Sequence, residues 1–266
     1  MSSAYLFDLD GTLYTAAGPV PGAVERLREL RRRRIPHRYV TNTTSRPRAA
    51  IVERLRGYGF DASADEVFTA VMAGAQIART LGCRTVAPFL PPATLVDLGE
   101  FELQGGMAGP PARRDATPDA VIVGDLGDRW DFALMQEAFR YLMGGAALIA
   151  LSRDRYWLRG DGLALDAGPF VVGLEYAAGK EAIVAGKPSR DFFVAAVASL
   201  GSGVDPADVV VVGDDVWSDV RGAQDAGCQG WLVRTGKFSE RAVIESGIRP
   251  DRILESVAQL EVPAPL

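Results

Sequence analysis

Only two cysteines, Cys83 and Cys228, and a single histidine, His37, occur among the 266 residues. The cysteines lack a CxxC spacing, so neither a thiolate metal site nor a disulfide framework is expected, and both read as plain core or surface thiols. One histidine excludes a multi-histidine zinc centre and argues against a Ser-His-Asp triad. Any general acid must therefore come from Asp, Glu, Lys or Tyr. His37 follows Pro36 at an expected helix-to-strand junction and reads as structural. Long apolar runs are missing too: none approaches the ~18–20 residues that cross a bilayer, and the start MSSAYLFDLDG shows no basic segment leading into an apolar one. A cytoplasmic protein is the expectation. Nor is positive charge in excess, since the net charge of −5 argues against bulk attraction to nucleic acid or an anionic membrane. The basic run at 31–34 falls in the last turn of an expected helix, where cations are favoured, and reads as a solvated face.

What is present is a globular composition, 48% apolar and 24% charged, in a chain long enough for one large domain or two smaller ones. The first seventy or so residues alternate strand and helix. Residues 4–8 read as a buried strand, and Pro21-Gly22 opens a helix with Val24, Leu27 and Leu30 on one face. A strand at 38–40 ends in Thr41-Asn42-Thr43-Thr44-Ser45, with Ser45 as the expected cap of a helix that buries Ile51, Val52 and Leu55. Residues 88–118, rich in Pro and Gly, read as loop or irregular edge structure. A second series follows, with strands at 120–123 and 147–151 and helices at 132–143 and 169–178. A third has strands at 182–185, 209–212 and 230–233 and helices at 189–200 and 216–226. Repeated strand-helix units and a strand apolar throughout, VVVV, imply a parallel sheet covered on both faces.

In such a sheet ligands bind beyond the carboxyl ends of the strands. The residues at those ends form one chemical set: Asp8 and Asp10, Thr41 and Asn42, Lys187 in Gly186-Lys187-Pro188, and Gly213-Asp214-Asp215 with Asp219 one turn later. Clustered aspartates repel one another unless a cation is present, and hard oxygen donors with few nitrogen or sulfur partners select Mg²⁺. Thr41, Asn42 and Lys187 supply donors and one positive charge to phosphoryl oxygens. Asp8 is placed to attack phosphorus as a nucleophile. Asp10, two residues on in an extended segment, shares its side and can serve as acid and base, while Gly11 turns the chain away. Asp219 is expected to orient Lys187 or a metal-bound water, and Asp215 reads as a loop residue with a lesser claim to a direct role.

In this order the DLDGT, Thr-Asn, GKP and GDDxxxxD motifs resemble the haloacid dehalogenase-like phosphatases, subclass IIA. The stretches LEYAAGKEAIVAGKPSRDFF, VVVVGDDVWSDVRGAQDAG and LVRTGKF look most like the subgroup of the phospholysine phosphohistidine inorganic pyrophosphate phosphatases. The resemblance implies a Rossmann-like α/β core at 1–77 and 180–266, with a smaller α/β cap of the C2 type inserted at 78–179. It also implies Mg²⁺ held by Asp8, Asp214 and the Asp10 main-chain carbonyl, with an aspartyl-phosphate formed on Asp8. Substrate choice in the family is attributed to the cap, whose expected facing loop, 151–157, carries Arg153, Asp154 and Arg155 as candidate substrate contacts; Tyr156 and Trp157 read as packing residues. Several relatives have Thr-Asn-x-Asp where this chain has Leu-Ser-Arg-Asp, which leaves the substrate open. The expected partner is a small phosphorylated molecule, with pyrophosphate or a phosphoramidate as the candidates the subgroup suggests and an exposed cap face as a candidate homodimer surface. The alternatives are a dehalogenase, which needs neither an acid at position 10 nor a metal, and a non-enzymatic phosphoacceptor or ligand-binding module.

Overall fold

A computed structural model describes residues 4–109, 117–159 and 162–262. The chain begins with β1 (Ala4–Asp8), a small hairpin of β2 (Tyr14–Thr15) and β3 (Gly18–Pro19), α1 (Ala23–Arg32) and β4 (His37–Thr41). Next come α2 (Arg48–Gly57), β5 (Val67–Thr69), α3 (Ala70–Thr80), β6 (Thr85–Phe89), β7 (Glu102–Leu103) and β8 (Ala120–Val123). They are followed by α4 (Phe132–Met143), β9 (Ala147–Ala150), β10 (Tyr156–Arg159), β11 (Gly162–Leu165), α5 (Gly168–Ala178) and β12 (Ile183–Val184). The last part holds α6 (Arg190–Ser199), β13 (Val209–Gly213), α7 (Gly222–Asp225), β14 (Gln229–Val233), α8 (Glu240–Ser246) and β15 (Arg252–Leu254).

Two compact units result. The larger comprises Met1–Thr41, Ala49–Phe68 and Lys187–Leu266, and the smaller Asn42–Arg48 and Thr69–Gly186. Each is an α/β unit with its own sheet, so the architecture is a Rossmann-like core with a smaller α/β insertion. The sequence placed the insertion at 78–179; α3, which packs on β9, and β12, which pairs with β9, also lie in the smaller unit.

The larger unit's sheet has the order β15-β14-β13-β1-β4-β5, with β1 paired in parallel to β13 on one side and β4 on the other. The order therefore reverses at β1, and the carboxyl ends of β1, β4 and β13 lie side by side. β1 and β13 are buried at every position, as their nearly continuous apolar sequences require for a sheet covered on both faces. Tyr5, Phe7, Val210, Val212 and Trp231 pack on one face with Leu27 and Leu30 of α1 and Ile51 and Leu55 of α2. Val216, Val220, Leu232 and Ile248 form a second cluster. Each buried Leu, Ile, Val or Phe contributes ~1.5–3 kcal/mol relative to exposure, so the sheet supplies a rigid platform for its polar edge.

The smaller unit's sheet runs β12-β9-β8-β6-β7, parallel throughout, beside the antiparallel β10–β11 hairpin. Several sequence expectations change here. The strand at 182–185 is Ile183–Val184 and belongs to this second sheet, so Lys187 follows a strand of the smaller unit. Within 88–118, β6 overlaps the start, turns at Pro92–Leu98 and Gly106–Ala108 flank β7, and residues 110–116 fall outside those described. Tyr156 and Trp157 open β10, although the side chain of Trp157 is also outside the described set. Helix α2 begins at Arg48, whose N–H donates to Asp97 Oδ2 at 3.0 Å, so Asp97 meets the first helical donor where Ser45 was expected. The expected helix at 216–226 is a π-helical turn, Val216–Arg221, continued by α7. Among the described residues no helix is long and apolar enough to cross a membrane.

Candidate active site

Asp8 is the last residue of β1 and only 7% exposed. Its Oδ2 accepts from Thr12 Oγ1 at 3.2 Å, and its Oδ1 accepts from Lys187 Nζ at 2.6 Å. The Lys187 ammonium also donates to Asp219 Oδ1 at 2.7 Å, and Asp219 Oδ2 accepts from the Asp215 N–H at 3.2 Å. Lys187 thus bridges two carboxylates from different parts of the chain in a buried environment. Asp214 lies directly after β13, and its Oδ2 accepts from the Lys237 N–H at 2.6 Å. The Asp215 carboxylate is committed to the following turn, accepting from Trp217 N at 2.9 Å and Ser218 N at 3.0 Å, with Lys237 Nζ 3.8 Å away. Thr41 closes β4 and is buried, and Asn42, the next residue, is grouped with the smaller unit.

Two glycines shape the space around Asp214. Gly11 and Gly236 both adopt positive φ, 91° and 62°, and a Cβ on either would stand 2.0 Å from Asp214 Oδ2. No other side chain fits at either position without displacing the carboxylate. Oxygen atoms of Asp8, Asp214 and Asp219 lie within 4.8 Å of one another. Three buried carboxylates face one buried ammonium there, with the more exposed Lys237 as a second, weaker source of positive charge. Burial first, then the neighbouring Asp8 and Asp219 charges, push the Asp214 carboxyl up to about 7. Burial also raises Asp219, to about 6, against the pull of Lys187. Burial acts to lower Lys187, but Asp219 and Asp8 outweigh it and keep the ammonium charged well above its usual range. A compact all-oxygen donor set with surplus negative charge fits a divalent cation, and a hard one.

Asp10 is exposed, unlike the other acids of the motif, and its carboxylate lies against Tyr14 and Arg54. The substrate candidates all belong to the smaller unit. Arg153 is paired with Glu175 at 2.7 Å, Arg155 lies 5.7 Å from the Tyr156 ring centroid, and Asp154 is exposed with its main-chain carbonyl accepting from the Gly168 N–H. His37 is buried with Nδ1 3.0 Å from the Ile35 carbonyl and Nε2 4.0 Å from Glu66 Oε1. Cys83 and Cys228 are unpaired thiols. Arg31 of the basic run is held by Asp61 and Glu66 and Arg33 by Glu29, so those cations serve local ion pairs.

The sequence reading did not single out Thr12, Tyr14, Arg54, Gly236 or Lys237. Thr12 and Tyr14 continue the DLDG run, so the motif's own extension was their signal. Gly236 and Lys237 lie in RTGKF, a glycine followed by a polar residue after an apolar strand. Arg54, on an amphipathic helix, has no local signature.

Comparison with known proteins places the chain in a family. Residues 5–96 match the model of the haloacid dehalogenase-like hydrolases and residues 184–260 a second, HAD-hydrolase-like model. The chain is 42% identical to the Homo sapiens haloacid dehalogenase-like hydrolase domain-containing protein 2, over 93% of this chain and 89% of that one. It is 35% identical to the Homo sapiens phospholysine phosphohistidine inorganic pyrophosphate phosphatase, over 96% and 91%. Among solved structures, the p-nitrophenyl phosphatase from Archaeoglobus fulgidus superposes with a TM-score of 0.86 at 28% identity, covering 97% of each chain. The buried acid-lysine cluster at the reversal of the core sheet, and likeness along nearly the whole chain, establish that this protein belongs to the haloacid dehalogenase-like hydrolase family.

Proposed function

We propose that the protein is a Mg²⁺-dependent phosphatase of this family that hydrolyses a small phosphorylated metabolite through an aspartyl-phosphate on Asp8. The observation that carries the reading is the buried Lys187 bridge between Asp8 and Asp219 with Asp214 alongside. Asp8, Asp214 and the main-chain carbonyl of Asp10 would hold the ion, which when bound supplies charge neutralisation between carboxylate and phosphate. Asp219 keeps the Lys187 ammonium in place, and Lys187 with Thr41 and Asn42 would bind phosphoryl oxygens.

An Asp8 oxygen forms the new P–O bond as the bond from phosphorus to the leaving oxygen, or nitrogen in a phosphoramidate, breaks, and Asp10 gives that leaving atom its proton. Asp10, now a carboxylate, takes a proton from water as the water oxygen attacks phosphorus. The bond to Asp8 breaks, inorganic phosphate leaves, and both carboxyl groups return to their starting states. The net reaction consumes one water and yields the free alcohol, amine or phosphate.

For the substrate, pyrophosphate and phosphoramidates are the first candidates, supported by the activity for which the 35% identical relative is named. Arg153 is already engaged by Glu175, which leaves Arg155 and Asp154 as the freer substrate candidates of their loop. We also propose a cytoplasmic location, in keeping with two unpaired thiols. The test is phosphate release from an aryl phosphate, pyrophosphate and phosphoramidates with Mg²⁺. EDTA should stop the reaction, and Asp8→Asn should lose at least ~10³-fold in kcat while remaining folded by circular dichroism. Normal turnover by that variant would remove Asp8 as nucleophile.

A further inference from the structure

We infer that Arg54 and Tyr14 form a clamp that positions the Asp10 carboxylate for proton transfer, acting through Asp10 and touching neither phosphate nor metal. The inference rests on the acid-base role of Asp10 in the proposed reaction. Tyr14 is buried, 2% exposed, and its hydroxyl donates to Asp10 Oδ2 at 3.2 Å. The chain returns to that point because the Gly11 N–H donates to the Tyr14 carbonyl at 2.7 Å and Asp10 bridges to Tyr14. Arg54, from α2, lies with its guanidinium 4.6 Å from the Tyr14 ring centroid and 5.9 Å from that of Tyr58. The two rings are themselves 5.2 Å apart, so a planar cation is held on an aromatic platform.

The two Asp10 oxygens are treated differently. Oδ2 is anchored by the tyrosine hydroxyl. Oδ1 faces Arg54 Nη1 at 3.8 Å, near enough for attraction and too long for a hydrogen bond. One oxygen is therefore fixed and the other keeps its lone pairs for the travelling proton. An exposed acid with several rotamers would otherwise spend much of its time elsewhere, and misplacement of a catalytic group by about 1 Å can lower rate ~10²-fold.

The test separates this from a structural role by leaving-group dependence. An alkyl phosphate needs its leaving oxygen protonated, and p-nitrophenyl phosphate needs little help. For Arg54→Ala and Tyr14→Phe, kcat/KM on the alkyl phosphate should fall ~10-fold or more, a part of the ~10²–10⁴ available from general acid catalysis, and distinctly less on the aryl ester. Arg54→Lys should recover part of the loss. In an Asp10→Asn background, Arg54→Ala should change neither substrate further. Equal losses on both substrates, a rise in rate, or an undiminished Arg54 effect beside Asp10→Asn would overturn the clamp. If Asp10→Asn alone lowers both substrates alike, the acid role itself is wrong, and that failure is read independently of Arg54.

Discussion

The two units use the same plan, a parallel sheet between helices, and differ in what they bury at its polar positions. In the larger unit Asp8, Lys187, Asp214 and Asp219 are buried charges. Among the described residues of the smaller one the buried polar side chains are the hydroxyls Thr44, Thr69, Thr94 and Ser152, and an enclosed acid, Asp97, serves the start of α2. A hydroxyl is satisfied by a local carbonyl or amide, as Thr94 is by Pro91 and Thr44 by the Asp125 N–H. A buried carboxylate needs a partner charge, and desolvation of each ion is worth several kcal/mol against folding. Such a cluster persists where chemistry requires it, so the charge content of the strand ends, and not the fold, separates the candidate site from its structural twin.

The largest expected effect tests that contrast directly. Lys187→Met leaves Asp8 and Asp219 buried without their cation and should lower stability by ~3–5 kcal/mol in urea denaturation. A change below ~1 kcal/mol would mean that the charges are already neutralised by protonation. Next, Mg²⁺ should raise the unfolding midpoint by several degrees, since a ligand at ~100 times its Kd stabilises by ~2.7 kcal/mol. Asp214→Asn should abolish the rise in differential scanning fluorimetry; an unchanged rise would place the ion elsewhere.

A smaller effect concerns His37, whose imidazole is held below its usual pKa by burial, with Glu66 4.0 Å away and Arg31 and Arg38 nearby. A depressed folded value means that the unfolded chain binds the proton more readily. This contribution is present above about pH 6.5 and is lost as pH falls below it. Stability measured from pH 7 to 5 should therefore decline less steeply in His37→Asn than in wild type, and identical slopes would refute the assignment. The smallest effect belongs to the smaller unit: Arg153→Ala breaks a half-exposed ion pair and should change stability by no more than ~0.5 kcal/mol.

Much of the core was legible because physics left the sequence few options. AYLFD and VVVVG, apolar nearly throughout, can only be strands covered on both faces, and the acids at their ends had to be explained as a set. Other parts were hidden. Thr85–Phe89 carries Pro88 and runs into Pro91 and Pro92, a composition that reads as loop until the neighbouring strand β8 is seen. Ile183–Val184 is too short to declare which sheet it joins. The Val216–Arg221 turn keeps a helical pattern in sequence while its winding is π, a departure common beside functional groups. Arg54 reaches Asp10 only through tertiary packing.

The placement of β1 has a further consequence for biosynthesis. Tyr5, Leu6 and Phe7 pair on one side with β4, about thirty residues on, but their other partner, β13, is about two hundred residues further along the chain. At a synthesis rate of ~5–20 residues per second, one edge of an apolar strand waits open for tens of seconds. An unpaired edge of that kind invites pairing with another chain. The nascent protein is then most exposed to aggregation at the very strand that carries its first acid.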